Sequence, residues 1–142
     1  MNSCLFRTQR VLRRPPQEVF DAFANPEVLA RWWGPDGFTN AFKTFEFRAG
    51  GRWKYVMYGP NGKHHTNESV FLEIEMPRAV VIHHVSQPRY MLRITLAPCD
   101  AGTEIDWIQE FEDSEVADRI RHIVEPANEQ NLNRLQAVLA GG

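Results

Sequence analysis

From Phe45 to Phe111 apolar side chains recur at every second position, in runs separated by turn signals, and from Ser114 onward they recur every three or four. A period of two belongs to strands and a period of 3.6 to helices. This switch leaves few options: sequential antiparallel strands followed by one long helix that has to cover them. Phe45 and Phe47 flank Glu46, and Trp53, Tyr55 and Met57 alternate with Arg52, Lys54 and Val56. Further strands are expected over 66–75, 79–85, 90–97 and 103–111. The intervening Gly59-Pro60-Asn61-Gly62, Met76-Pro77-Arg78 and Pro98-Cys99-Asp100-Ala101-Gly102 read as turns. Gly50-Gly51 reads as a bulge or turn. Ahead of this region, Cys4 to Leu12 reads as a strand stopped by Pro15-Pro16. Pro16 and Pro26 suit the first turn of a helix. Two short helices are therefore expected, one with Val19, Phe20 and Phe23 on a face, the other with Val28, Leu29 and Trp32, ended by Gly34-Pro35-Asp36-Gly37.

The last helix is expected from an N-cap at Ser114 to Leu139. Its stripe is Val116, Ile120, Ile123/Val124, Ala127, Asn131, Leu135 and Val138/Leu139. At 1.5 Å per residue it is ~39 Å long, the width of the whole domain. Pro126 is expected to bend or break it, because proline lacks the N–H and clashes one turn back. The chain's 142 residues fit one domain, spanning 1–142, that can enclose a cavity without metal or disulfide staples. Sixteen basic against eighteen acidic side chains give a net charge of −2, so no positive field holds nucleic acid. No apolar run approaches the ~20 residues of a membrane span. The start of the chain has no signal-peptide pattern, and two cysteines are few for a small secreted domain. A cytoplasmic setting is expected.

Strand pairing extends the reading to an inside. If Met57 faces His64 across Gly59-Pro60-Asn61-Gly62, then Tyr55 faces Thr66, Trp53 faces Glu68 and Gly51 faces Val70. Across the next turn Ile74 would face Val80, Leu72 Ile82 and Val70 His84. Directly opposite side chains share a face. The inner face then carries Trp53, Tyr55, Met57, Tyr90, Leu92, Ile94, Leu96, Ile105, Trp107 and Phe111, with Glu68, His84 and Gln109 as polar exceptions near one end. Asn128 and Asn131 border the helix stripe. An apolar pocket with a few convergent polar groups is the usual pattern of a small-molecule site. Trp33, Trp53, Tyr55, Glu68, His84, Tyr90, Trp107, Gln109 and Asn131 are the candidate ligand-binding residues.

Each has a structural reading beside the functional one. The aromatics also serve as plain core. Trp32-Trp33 reads first as a wedge between the short helices and the sheet, and second as a gate at a cavity mouth. His84 reads as a hydrogen-bonded wall residue or as a general base. Glu68 reads as a solvated rim carboxylate or a polar anchor. Metal is not expected: His64-His65 and His83-His84 lie in strands, where neighbours point to opposite faces, and no Cys/His ligand spacing is present. Cys4 and Cys99 have no evident base partner. No glycine-rich phosphate loop opens a helix, and no cofactor is expected.

Several stretches together carry a family likeness: Pro26-Glu27-Val28-Leu29-Ala30-Arg31-Trp32-Trp33-Gly34-Pro35, Arg48-Ala49-Gly50-Gly51-Arg52-Trp53, Gly59-Pro60-Asn61-Gly62, Leu72-Glu73-Ile74-Glu75-Met76-Pro77-Arg78, and Asn128-Glu129-Gln130-Asn131-Leu132-Asn133-Arg134-Leu135. From about Phe6 to Ala140 the chain resembles homologues of the activator of the heat-shock-protein-90 ATPase, within the START-like, helix-grip superfamily. The resemblance implies an α+β helix-grip (START/Bet v 1-like) fold: a curved antiparallel sheet of six to seven strands wrapped round a long C-terminal helix, often with a cavity between them. It also implies a chaperone as one kind of partner. Three functions are weighed: binding of a hydrophobic or amphipathic small molecule in that cavity; a cyclase or hydrolase using His84 or Glu68 there; and protein interaction. Homodimer formation is left open by the sequence.

Overall fold

A computed structural model describes residues 4–141. The signal-peptide reading rests partly on residues 1–3, which lie outside the described residues, as does Gly142. The elements follow in the order β1 (Leu5–Leu12), α1 (Pro16–Ala24), α2 (Pro26–Trp32), β2 (Thr39–Phe45), β3 (Arg52–Tyr58), β4 (His64–Glu75), β5 (Ala79–His84), β6 (Tyr90–Cys99), β7 (Gly102–Phe111) and α3 (Ser114–Leu139). All seven strands form one antiparallel sheet in the order β1-β7-β6-β5-β4-β3-β2. Consecutive strands are neighbours except at β1, which returns beside β7 and places α1 and α2 between the two sheet edges. Irregularities between Phe42 and Thr44 in β2 and between Phe71 and Glu73 in β4 bend the sheet. The result is the expected α+β helix-grip architecture. No helix among the described residues is long and apolar enough to cross a membrane.

The two prolines open the short helices as expected. Asn25 serves both, ending α1 and capping α2 through its side-chain oxygen, which accepts from Glu27 N at 3.0 Å. Trp32 Nε1 donates to Ala22 O at 3.0 Å and its ring meets Phe23 edge-on, which locks α2 to α1. β2 stops at Phe45. Phe47 lies just past it and stacks on Phe45. At Gly51 a Cβ would stand 1.9 Å from Glu46 O, so the turn before β3 admits only glycine there.

One part of the expected register is corrected. Tyr58, not Met57, faces His64, and every β3–β4 pair shifts by one: Lys54 faces Glu68 and Trp53 faces Ser69. The turn is the reason. Gly59 N donates to Lys63 O at 2.8 Å and Gly62 has φ +82°, so the loop holds three residues, closed by a left-handed glycine. Because side chains alternate, the one-residue shift turns Glu68, Val70 and Leu72 outward and brings Asn67, Ser69 and Phe71 inward. Across the β4–β5 hairpin Ile74 does face Val80, but past the bulge at Leu72 the partners are Phe71–Ile82 and Ser69–His84. Leu72 is left 46% exposed. The inner faces of β6 and β7 stand as read: Leu92, Ile94, Leu96, Ile105, Trp107, Gln109 and Phe111 are buried.

The expected break at Pro126 is absent, and α3 runs unbroken over its 26 residues. A mid-helix proline costs ~3 kcal/mol. Packing on both sides carries the helix through it. Ala117, with Ile120 and Val124, lies against Phe6 and Phe111, while Leu132 and Leu135 are fully buried in the main core. On the sheet edge, Arg10 of β1 reaches Asn133 Oδ1 at 2.6 Å and Glu129 Oε1 at 3.0 Å, and Thr8 bonds Glu129 as well. The N-cap is Asp113 rather than Ser114. Its carboxylate accepts from Glu115 N and Val116 N, the stronger acceptor being the one in place.

Candidate functional site

The sheet's hollow is filled from one side by an aromatic block. Trp33, at the end of α2, points under α3 and meets Trp53 at 5.0 Å, Trp107 at 5.8 Å and Trp32 at 5.7 Å between ring centroids. Its Nε1 donates to the Tyr55 hydroxyl at 3.3 Å. Trp53 stacks on Tyr55 at 4.3 Å and on Phe71 at 5.7 Å. Both Trp32 and Trp33 are buried, so the pair is a wedge between the short helices and the sheet.

Beyond this block a cavity of about 150 Å³ remains between the sheet and α3. Trp33, Tyr55, Tyr90, Trp107, Gln109 and Asn131, six of the nine candidate residues, line it. Met57 and Leu92 add wall from the sheet, and Ile123, Val124, Ala127 and Asn128 from α3. None of its lining residues is charged. Ile123 is 58% exposed, which marks where the space meets solvent, between the first half of α3 and Gly34-Pro35. A larger groove of about 630 Å³ lies on the outside, between α1, α2 and the end of α3. It is open to solvent and bordered by Glu18, Asp21 and Arg31, so it encloses nothing.

The other three candidates lie elsewhere. Trp53 is one layer behind Tyr55. Glu68 is a correction: it sits on the outer face, its side chain 38% exposed and 3.5 Å from the Arg52 guanidinium. His84 is buried on the inner face but stacked behind Tyr90, ring centroids 4.4 Å apart and nearly parallel. Its Nδ1 is 2.9 Å from Pro88 O, and its Nε2 is 2.7 Å from Asn67 Oδ1 and 3.3 Å from Ser86 Oγ. A ring protonated on both nitrogens matches both acceptors. Burial disfavours that charged form and pulls the pKa below the ordinary imidazole value, against the backbone bonds that raise it. With both nitrogens engaged and the ring outside the cavity wall, His84 has no free atom to serve as a general base.

The cavity's polar groups are neutral. Burial pushes the Tyr55 phenol far above its usual range, with the Trp33 N–H and the neighbouring Ser69 offsetting this only in part; Ser69 Oγ has no hydrogen bond of ordinary geometry among the described residues. Tyr90 is raised by burial first and by the nearby Tyr55 second. Gln109 Oε1 accepts from Asn128 Nδ2 at 3.0 Å. The indole nitrogens of Trp53 and Trp107 are buried and have no acceptor among the described residues.

The roof over the cavity depends on Asn131 and on two residues outside the candidate set, Arg134 and Asn40. Arg134 NH1 donates to the carbonyls of Trp33, Gly34 and Pro35 at 3.2, 3.0 and 2.9 Å, and NH2 to those of Arg31 and Phe38 at 2.9 Å each. Asn131 Nδ2 takes Trp32 O at 2.8 Å, and Asn40 Nδ2 takes Ala30 O and Trp33 O. Three side chains thus hold the carbonyls at and beyond the end of α2, which otherwise have no helical partner. Burial lowers the Arg134 pKa, and Asp36 counteracts it. The signal available beforehand was spacing: Arg134 follows Asn131 by three residues, about one turn along α3.

This arrangement can be set beside known proteins. Residues 13–140 match the family described as Activator of Hsp90 ATPase homolog 1-like protein. The chain belongs to that family. Among solved structures, a protein of Chromobacterium violaceum is 27% identical, with a TM-score of 0.84 over 94% of this chain and 96% of that one. An Arthrobacter aurescens protein is 24% identical, with a TM-score of 0.90 over 99% and 88%. A Silicibacter pomeroyi protein named for the same family is 20% identical, with a TM-score of 0.77 over 96% and 97%. No curated protein matches the chain. Membership in the Activator of Hsp90 ATPase homolog 1-like family fits the helix-grip fold and leaves the occupant of the cavity open.

Proposed function

We propose that this protein binds a small, uncharged, largely apolar molecule in the cavity between its sheet and α3, without transforming it. The observation that carries the reading is the space of about 150 Å³, open to solvent at Ile123, whose walls are aromatic, aliphatic and amide groups with no charged side chain. An apolar void of that size takes a guest on the scale of one aromatic ring, well below the 300–1,000 Å³ of drug-sized sites. Proton-transfer chemistry has no support there, since Glu68 is outside and His84 is tied into the β5–β6 turn. For a chaperone surface the exposed large side chains are poorly gathered: Leu5 and Val11 lie on β1, Leu72 and Met76 at β4, with three strands between.

The test uses the protein's own tryptophans. Titration with toluene or indole should change the emission of Trp33 and Trp107 and shift their indole N–H signals in NMR spectra. Ala127→Phe, which fills the wall from α3, should abolish both responses while the protein stays folded. If toluene and indole leave the wild-type spectra untouched, the reading fails.

A further inference from the structure

The cavity is not uniformly apolar. Gln109 and Tyr90 sit at one end of it, on the neighbouring strands β7 and β6, where Tyr90 faces Phe111 and Leu92 faces Gln109. Asn128 Nδ2 occupies the Gln109 carbonyl oxygen at 3.0 Å. In this arrangement Nε2, a two-proton donor, points away from Asn128 and has no acceptor among the described residues. Tyr90 is held in place from behind by the parallel His84 ring and from the side by Phe111 at 5.2 Å. No hydrogen-bond acceptor for its hydroxyl is found among the described residues, and burial keeps the phenol protonated. Two neutral donors therefore stand at the same end of a space whose other walls are Trp33, Tyr55, Met57, Leu92 and Trp107.

We infer that the guest is a neutral, single-ring compound carrying one carbonyl-type oxygen, with the ring among the tryptophans and the oxygen at Gln109 Nε2 and the Tyr90 hydroxyl. The inference rests on the binding reading above and names the chemistry of its occupant. Size sets the single ring. The donor pair sets the acceptor, because two donors that face the cavity and meet no protein acceptor favour a guest whose oxygen accepts from them. Charge is excluded by the walls. A carboxylate would enter a site with no cation, and the nearby guanidinium of Arg134 is already spread over five backbone carbonyls.

The experiment compares acetophenone and isopropylbenzene (the same heavy-atom skeleton without the oxygen) at neutral pH, and benzoate over a series of pH values, read by tryptophan fluorescence and indole N–H shifts in the full chain. Acetophenone should bind roughly tenfold more tightly than isopropylbenzene, about the value of one hydrogen bond. Benzoate should bind only as its neutral acid, so its apparent affinity falls tenfold per pH unit above its pKa of ~4. Tyr90→Phe and Gln109→Leu should each shrink the ratio of acetophenone affinity to isopropylbenzene affinity measured in the same variant. Should Gln109→Leu fail to fold, Tyr90→Phe, which removes a single oxygen, still decides the matter. Equal binding of acetophenone and isopropylbenzene, or binding of benzoate that does not weaken with pH, overturns the inference and leaves the cavity reading standing. No response to any of the three overturns both.

Discussion

At position 134 one side chain does the work of a helix cap for a neighbouring helix. A guanidinium holds its donors in a fixed plane, and the two terminal nitrogens of Arg134 share theirs among the carbonyls of residues 31, 33, 34, 35 and 38. Replacement by methionine keeps the stem and strands those carbonyls. Arg134→Met should destabilise the fold by about 2–4 kcal/mol, seen as a lower urea midpoint, and should speed amide exchange over residues 31–38. Arg134→Lys should recover little, since an ammonium cannot span that fan. His84 gives the residue scale a pH signature. Its folded pKa is depressed, chiefly by burial, so as pH falls below the ~6.5 of a free imidazole the unfolded chain takes up the proton first. The stability it contributes is present above that value and is lost on acidification. Urea midpoints at pH 7.5 and 5.0 should show a drop in the wild type and a smaller one in His84→Gln; an equal drop would show that other groups set the slope. The sequence placed His84 on the inner face, and there it is. It also placed Glu68 there, and that was wrong for a reason no single residue displays.

The reason is at the scale of elements. Alternation tells which residues of a strand share a face, but not which face meets the core when a strand carries a bulge. β4 holds Phe71 inward on one side of Leu72 and Ile74 inward on the other. The stretch before the bulge was read in the phase that holds after it. A three-residue loop with left-handed Gly62, in place of the expected pairing of Met57 with His64, shifted the other hairpin by the same step. The prediction that belongs here concerns α3. Pro126 leaves one carbonyl of the preceding turn without its helical donor, and Pro126 itself is exposed. Pro126→Ala should therefore stabilise the protein by about 1–2 kcal/mol, the gain in the helix being reduced by the freer unfolded chain. A raised melting temperature with slower exchange near residues 122–126 would bear this out. A lowered one would mean that the proline shapes the cavity wall at Ile123 and Ala127.

For the molecule as a whole, the two periodicities and the prolines were enough to give the element order, the antiparallel sheet and the covering helix. Those features are local: a period of two or of 3.6 is a property of each segment by itself. So was the inward placement of Tyr55, Tyr90, Trp107, Gln109 and Asn131, whose phase comes from strands and a helix without irregularities between them; Trp33, just past the end of α2, has no such phase. What the tertiary structure decided was how much of the hollow is left. Trp33 fills a large part of it by packing on Trp53 and Trp107, and the remainder, about 150 Å³, is a difference between the volume of the grip and the side chains packed in it. It also decided that Arg134 and Asn40, distant in sequence, converge on the end of α2, and that His84, at the end of β5, bonds the following turn and Asn67 instead of lining the cavity. A residual volume and a convergence of carbonyls are set by where separate elements come to rest against each other, and periodicity within one segment carries no information about that distance.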